Sequence, residues 1–331
     1  MLLQTADPLS RFRDRLRLPL IAAPMFLISG VELVAAACAN GVIGAFPTVN
    51  CRSVEQLDQW LTEIEQRLHG QNAAPICPNL IVHRSNARLA EDLGVLLKHK
   101  PEFVITSVGS PAPVIKPLHG VGALVLADVA TIRHAERAVV AGADGLVLLT
   151  AGAGGQTGWL NPFAFVRAVR TFFAGPIVLA GGISDGQALR AAEVLGCDLA
   201  YMGTKFIATR ESMADARHKE MLVASSADDV LLTTAFTGLQ TNMLKPSIVA
   251  AGLDPDDLPA RGAIDIGKDI DVAAREARPK RWRDIWSAGH STSGVIDVPP
   301  VADLIARTLK EYRGGLVRSF AGTPANAGPS A

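Results

Sequence analysis

Residues 176–206 read PIVLAGGISDGQALRAAEVLGCDLAYMGTKF. An apolar run stops at Gly181 and Gly182, a helix-period segment follows and ends at Gly196, and a second apolar run stops at Gly203. Glycine just past a helix is a common terminator. Strands that are apolar throughout, instead of alternating, suit a parallel sheet covered on both faces. The stretch therefore reads as strand, helix and strand, with glycine closing each strand.

Working outward, the same rhythm fills the N-terminal two thirds of the chain. Candidate strands are PLIAAPM at 19–25, VIGAFPT at 42–48, ICPNLIV at 76–82, FVITSV at 103–108, ALVLADV at 123–129 and GLVLLTA at 145–151, which with the two above make eight. Helical segments separate them: SVEQLDQWLTEIEQRL has a Ser cap and sets Leu57, Leu61, Ile64 and Leu68 on one face, and TIRHAERAVVAGA carries glycine near its end. A doubly wound open sheet would share this alternation, but no GxGxxG follows the first strand. Glycines instead cluster after strands six, seven and eight, where a (β/α)8 TIM barrel commonly builds a phosphate site. The expected fold is thus an α/β TIM barrel with a helical insertion after strand eight. Residues 1–211 and 291–313 would form the barrel, 212–290 the insertion or lid, and 314–331 a mobile tail of small and turn-forming residues.

Composition narrows the function. Of 331 residues, 49% are apolar, enough for a large core, and 32 Lys and Arg balance 32 Asp and Glu. That balance gives no bias toward nucleic acid or an anionic membrane and favours a small-molecule substrate. The apolar segment LPLIAAPMFLISGVELVAAAC is broken by Pro19, Pro24, Gly30 and Glu32 into strand, turn and helix, so it is not read as a membrane span or a signal sequence. Cys38, Cys51, Cys77 and Cys197 form no CxxC pair, which argues against a metal knuckle or disulfide framework and suits a cytoplasmic, reducing setting. A homodimer is the default expectation for such an enzyme.

In a barrel the strand ends converge on one rim. Here they carry Ala23, Pro24 and Met25, then Asn79, Ser107 and Asp128, the loop TAGAGGQTG at 150–158, and the glycines at 181, 182 and 203 with Thr204. Glycine at this density serves tight turns or close approach by a ligand. Backbone amides at three successive strand ends can cradle a phosphate.

Three segments, LPLIAAPM, TAGAGGQTG and LAGGISDGQALRAAEVLGCDLAYMGTKF, together resemble the nitronate monooxygenase family, once called 2-nitropropane dioxygenases, which are FMN-dependent TIM barrels. The likeness runs from about Leu18 to Pro300 and includes FTGLQTNMLKPSIVAAGLDPDDLP and WSAGHSTSGVIDVPP. It implies that Ala23, Pro24 and Met25 lie beside the flavin ring, that Asn79 hydrogen-bonds it, and that Gly181, Gly182, Gly203 and Thr204 hold the FMN phosphate. Gly154 and Gly155 would permit its close approach. Asp128 either orients groups at the flavin site or caps the next helix.

The family commonly reads GAGGH at the glycine loop, whereas this chain has Gln156. Glutamine donates and accepts hydrogen bonds but takes no proton near neutral pH, so a mechanism that uses the histidine as base does not carry over. His290, in SAGHSTSG, is the first substitute to examine. The resemblance implies an oxidoreductase, a monooxygenase that oxidises alkyl nitronates with O2 to a carbonyl compound and nitrite. An NAD(P)H-dependent flavin reductase acting on a quinone or enoyl substrate, and a flavin-binding barrel without catalysis, are the alternatives. The basic stretch REARPKRWRD at 275–284 reads as a solvated face or as recognition of a nicotinamide cofactor's phosphate.

Overall fold

The computed structural model describes residues 8–258 and 284–314. Strands β1 (Leu20–Ala22), β2 (Ile43–Pro47), β3 (Ile76–Ile81), β4 (Phe103–Ser107), β5 (Leu124–Val129) and β6 (Gly145–Leu149) follow in chain order. After the two-residue β7 (Gly155–Gln156) come β8 (Ile177–Ala180) and β9 (Leu199–Met202). The strands β1 to β6, β8 and β9 make a closed parallel barrel, sealed where Leu20, Ile21 and Ala22 pair with Ala200, Tyr201 and Met202. All eight expected strands are present, and the fold is a TIM barrel.

Each strand is apolar on both faces because each face meets a different core. Inward side chains such as Ile21, Ile43, Cys77, Ile105, Leu126, Val147, Val178 and Leu199 fill the barrel. Outward ones such as Leu20, Leu80, Val104, Val125, Leu146 and Ile177 pack under the helices. The short helix Ser10–Arg15 closes the bottom: Phe12 meets the Phe103 ring with centroids 4.5 Å apart. Ser53 caps Val54–Leu68 by accepting from the Gln56 amide at 3.2 Å, and Leu57, Leu61 and Ile64 are buried as the spacing requires. Gly196 ends Gly186–Leu195 in the left-handed region at φ +111°.

The segment expected to be a helical insertion is mixed. Ala216–Ala224 and Lys245–Ala250 are helices, but β10 (Val230–Thr233) and β11 (Thr241–Leu244) pair antiparallel, and β11 also pairs with β7. VLLT and TNML are short runs that suit strands, and the intervening turn uses Gly238 at φ +75°. Residues 259–283 of this segment, including most of the basic stretch, lie outside the described residues, as do 315–331 of the expected tail. The helix Val301–Gly314 returns to the barrel, packing against Gly186–Leu195 and against Val31–Ala39. Among the described residues no helix is long and apolar enough to cross a membrane.

Candidate active site

The C-terminal rim surrounds a cavity of about 230 Å³, partly open to solvent. Ala23, Pro24, Met25, Asn79, Asp128, Gly154, Gly155, Gln156, Gly181, Gly182, Gly203 and Thr204 all line it. Twelve positions spread over 182 residues of sequence meet there because inward-facing strand ends of a closed barrel share one opening.

One wall is backbone. Gly181 has φ +127°, and a Cβ there would lie 2.5 Å from Thr150 Oγ1 and 3.1 Å from the Ala153 amide nitrogen. Gly182 has φ +74° and faces open space, with nothing within 4 Å of its Cβ position. Among the described residues the amides of Gly182, Ile183 and Gly203 find no backbone or side-chain acceptor. Unpaired donors at a cavity edge can hold an anionic group without a cation.

A second wall carries an amide. Asn79 Nδ2 donates to Ser107 Oγ at 3.1 Å, and Ser107 Oγ is 3.3 Å from Asn79 Oδ1, so the two side chains fix each other. Thr204 Oγ1 accepts from the Gly289 amide at 2.9 Å, tying the rim of β9 to the segment that returns after the insertion.

The floor holds the titratable groups. Asp128 is the last inward residue of β5, following Leu126 by the two-residue period of a strand; Tyr201 stands likewise on β9. Asp128 Oδ1 and Tyr201 Oη are buried with no hydrogen-bond partner. Burial alone pushes the Asp128 carboxyl up to about 8. Burial also raises Tyr201 well above the usual phenol range, with Asp128 and Cys77 adding to the effect. The expectation that Asp128 might instead cap the next helix fails: Thr131 caps it, accepting from the His134 amide at 3.1 Å. Tyr201 went unnoticed in the sequence, although its place two residues before Gly203 on an apolar strand end marks it as inward.

Gln156 is half-buried on the side of the insertion. Its backbone pairs with Thr241 across β7 and β11, and Asn242 Nδ2 donates to the Ala153 carbonyl at 2.7 Å, so the glycine loop is pinned by the insertion. His290 is corrected: it is exposed and does not line the cavity, its amide donating to the Gly152 carbonyl at 2.9 Å while its ring lies against Gly152. The segment does reach the rim, but Ser287, Ala288 and Ser291 face inward because the turn Gly289–His290 points the imidazole away. Lys205 is not aimed at the cavity either; its ammonium donates to the Gly294 carbonyl.

Among the described lining residues, Asp128 and Tyr201 are the only titratable ones, and no Lys, Arg or His is present. A cavity with an uncharged floor, an amide side wall and free backbone donors can hold a flat ring rich in acceptors and bearing an anionic group. Among the described residues no group of His, Cys, Asp and Glu could hold a metal ion.

The family model for nitronate monooxygenases matches residues 13–311. A nitronate monooxygenase of Paraburkholderia phytofirmans is 28% identical over 349 residues, covering 92% of this chain and 95% of that protein. One from Pseudomonas aeruginosa is 31% identical over 237 residues, covering 67% of this chain and 66% of that protein. The fold also matches the solved structure of a nitroalkane oxidase from Streptomyces ansochromogenes with a TM-score of 0.75 at 23% identity, over 93% of this chain and 100% of that one.

Proposed function

The chain belongs to the nitronate monooxygenase family, and we propose that it binds FMN and oxidises alkyl nitronates with O2, releasing a carbonyl compound and nitrite. Bound FMN would supply the electron acceptor and the centre that reacts with oxygen. The amides of Gly182, Ile183 and Gly203 would take its phosphate, and the backbone of Ala23, Pro24 and Met25 would lie along its ring. Asn79, held by Ser107, would present its amide to the polar edge of that ring.

The observation that carries the choice of nitronate is that none of the described lining residues is an ionised base at neutral pH. Gln156 takes no proton, His290 does not line the cavity, Tyr201 stays a phenol, and the Asp128 carboxyl, pushed up to about 8, is mostly protonated at pH 7. A neutral nitroalkane must lose a carbon-bound proton before it can be oxidised, whereas a nitronate has already lost it. The side-chain amide of Gln156 then serves to donate a hydrogen bond to a nitronate oxygen rather than to move a proton.

Two measurements test this reading. Chromatography of the chromophore released on denaturation should give FMN; FAD, or no flavin, would end the cofactor assignment. Anaerobic mixing with propyl-2-nitronate, NADPH and NADH in separate runs should bleach the flavin fastest with the nitronate. Bleaching by a nicotinamide alone would point to a reductase, and no bleaching by any donor to a binding protein.

A further inference from the structure

The cavity floor holds two orphaned polar atoms that the family comparison does not explain. Asp128 Oδ1 and Tyr201 Oη are both buried, both without a partner, and both on residues that line the cavity. Leaving buried polar atoms unpaired is costly, and their recurrence at one site points to a ligand that pairs them.

Their surroundings decide which form the carboxyl takes. From β4 the lining neighbour is Ser107 and from β6 it is Leu149; across the barrel stand Tyr201 on β9 and, one layer deeper, Cys77 on β3. Each of these is uncharged, and the Cys77 thiol is itself raised by burial, with Cys38 and Asp128 adding to the effect. No cation lines the cavity among the described residues. An ionised carboxylate there would lie without a lining counter-charge and with its Oδ1 buried and unpaired, whereas the neutral acid is a hydrogen-bond donor.

Resting on the assignment of FMN to this cavity, we propose that Asp128, carrying its proton, and Tyr201 form an uncharged pair of hydrogen-bond donors on the cavity floor. They take the acceptor atoms of the flavin ring, so that ionisation of Asp128 weakens cofactor binding. The two orphaned oxygens are thereby satisfied. An acceptor atom of the ring would meet a donor from a protonated carboxyl and lone-pair repulsion from an ionised one.

Sign and size follow from the carboxyl, which titrates at about 8. Affinity tracks the protonated fraction, which falls roughly thirtyfold between pH 7 and pH 9.5. The FMN phosphate, with its second pKa near 6, is ionised throughout that range and contributes no slope.

The experiment is a titration of flavin-free protein with FMN, followed by flavin fluorescence at pH 7, 8, 9 and 9.5. It is paired with infrared spectra of the flavin-free protein at the same pH values. The native chain should bind FMN about thirtyfold more weakly at pH 9.5 than at pH 7. The carbonyl band of a neutral carboxylic acid should be present at pH 7 and lost by pH 9.5. Asp128→Asn, which keeps an uncharged donor, should bind FMN at pH 7 within a few fold of the native chain, lose the pH slope and lack the infrared band. A flat affinity in the native chain, an unchanged slope in Asp128→Asn, or no neutral-acid band at pH 7 overturns the proposal. Failure to bind FMN at any pH would instead remove the cofactor assignment, and the infrared band would still report whether Asp128 holds its proton.

Discussion

Replacing Gln156 with histidine should create activity toward neutral nitroalkanes. The side chain is half-buried at the cavity wall, while the backbone of its strand is held by main-chain pairing to Thr241 and by the Thr157 amide donating to the Gln240 carbonyl at 3.0 Å. None of those bonds uses the glutamine side chain, so Gln156→His should change stability by only about 0.5 kcal/mol. A positioned base contributes roughly a hundredfold to ten-thousandfold to proton removal, equivalent to about 3 to 5 kcal/mol of barrier. The gain should appear in the neutral-substrate rate and hardly at all in the nitronate rate. It should grow as pH rises through roughly 6.5, where an imidazole loses its proton. The assay is initial oxygen consumption on rapid mixing with freshly dissolved nitroethane or with preformed ethylnitronate, before the two interconvert. Equal initial rates for both forms in the unchanged protein would refute the reasoning, because a base would already be at work in the cavity. So would a Gln156→His variant that gains equally on both substrates.

Other expected outcomes come from other parts of the molecule. Gly181→Ala should destabilise the fold by at least about 2 kcal/mol, measured by urea unfolding, because φ +127° and a Cβ 2.5 Å from Thr150 Oγ1 must both be accommodated. Asn242→Ala, which removes the bond to the Ala153 carbonyl, should raise KM for the nitronate several-fold and leave FMN affinity nearly unchanged. His218 is buried against Trp286 with its ring pushed down to about 4, so it is neutral in the fold and protonates first in the unfolded chain. Stability should therefore be intact above about pH 6.5 and fall by up to about 3 kcal/mol as pH drops toward 4, a loss that His218→Phe should remove in acid unfolding curves. All four cysteines are buried, with Cys38, Cys51 and Cys197 pushed up to about 12, so a thiol reagent at pH 8 should find none in the native protein and four after unfolding.

What the sequence disclosed and what it hid divide along physical lines. The barrel strands were legible because each is a nearly continuous apolar run, and most stop at a glycine, a proline or a short polar residue. That the glycines at 181, 182 and 203 would meet at one cavity was legible because glycines recur after three strand ends in succession, the loop at 150–158 being the third cluster. The sheet in the insertion was not, since β7 has only two residues and its partner lies some 85 positions further on, beyond the reach of any local pattern. His290 misled for a related reason. The segment was placed correctly at the rim, but a single 3-10 turn decides whether the histidine or its neighbour Ser291 faces inward. The state of Asp128 was hidden too, because it depends on which residues surround it across the barrel and not on its own neighbours in the chain.

The floor and the insertion-side wall are built by different means, which under the proposed function would separate cofactor binding from substrate binding. Asp128 and Tyr201 stand on β5 and β9, fixed by parallel pairing around the closed barrel. Gln156 stands on a strand that exists only because β11 pairs with it, and the bridge from Met243 to Ser287 draws the returning segment to the same wall. Under the proposed function, the cofactor contacts would sit on barrel strands and the Gln156 contact to substrate on a strand that the insertion holds in place. One property crosses the divide. A nitronate is an anion, and among the described residues no cation lines the space it would enter, so there it would be met by hydrogen-bond donors alone. An ionised Asp128 would add a second negative charge to that space and oppose the substrate directly. If FMN and a nitronate occupy the cavity as proposed, the proton on Asp128 would serve both: it would turn the floor into a donor for the ring and keep the cavity neutral for an anionic substrate.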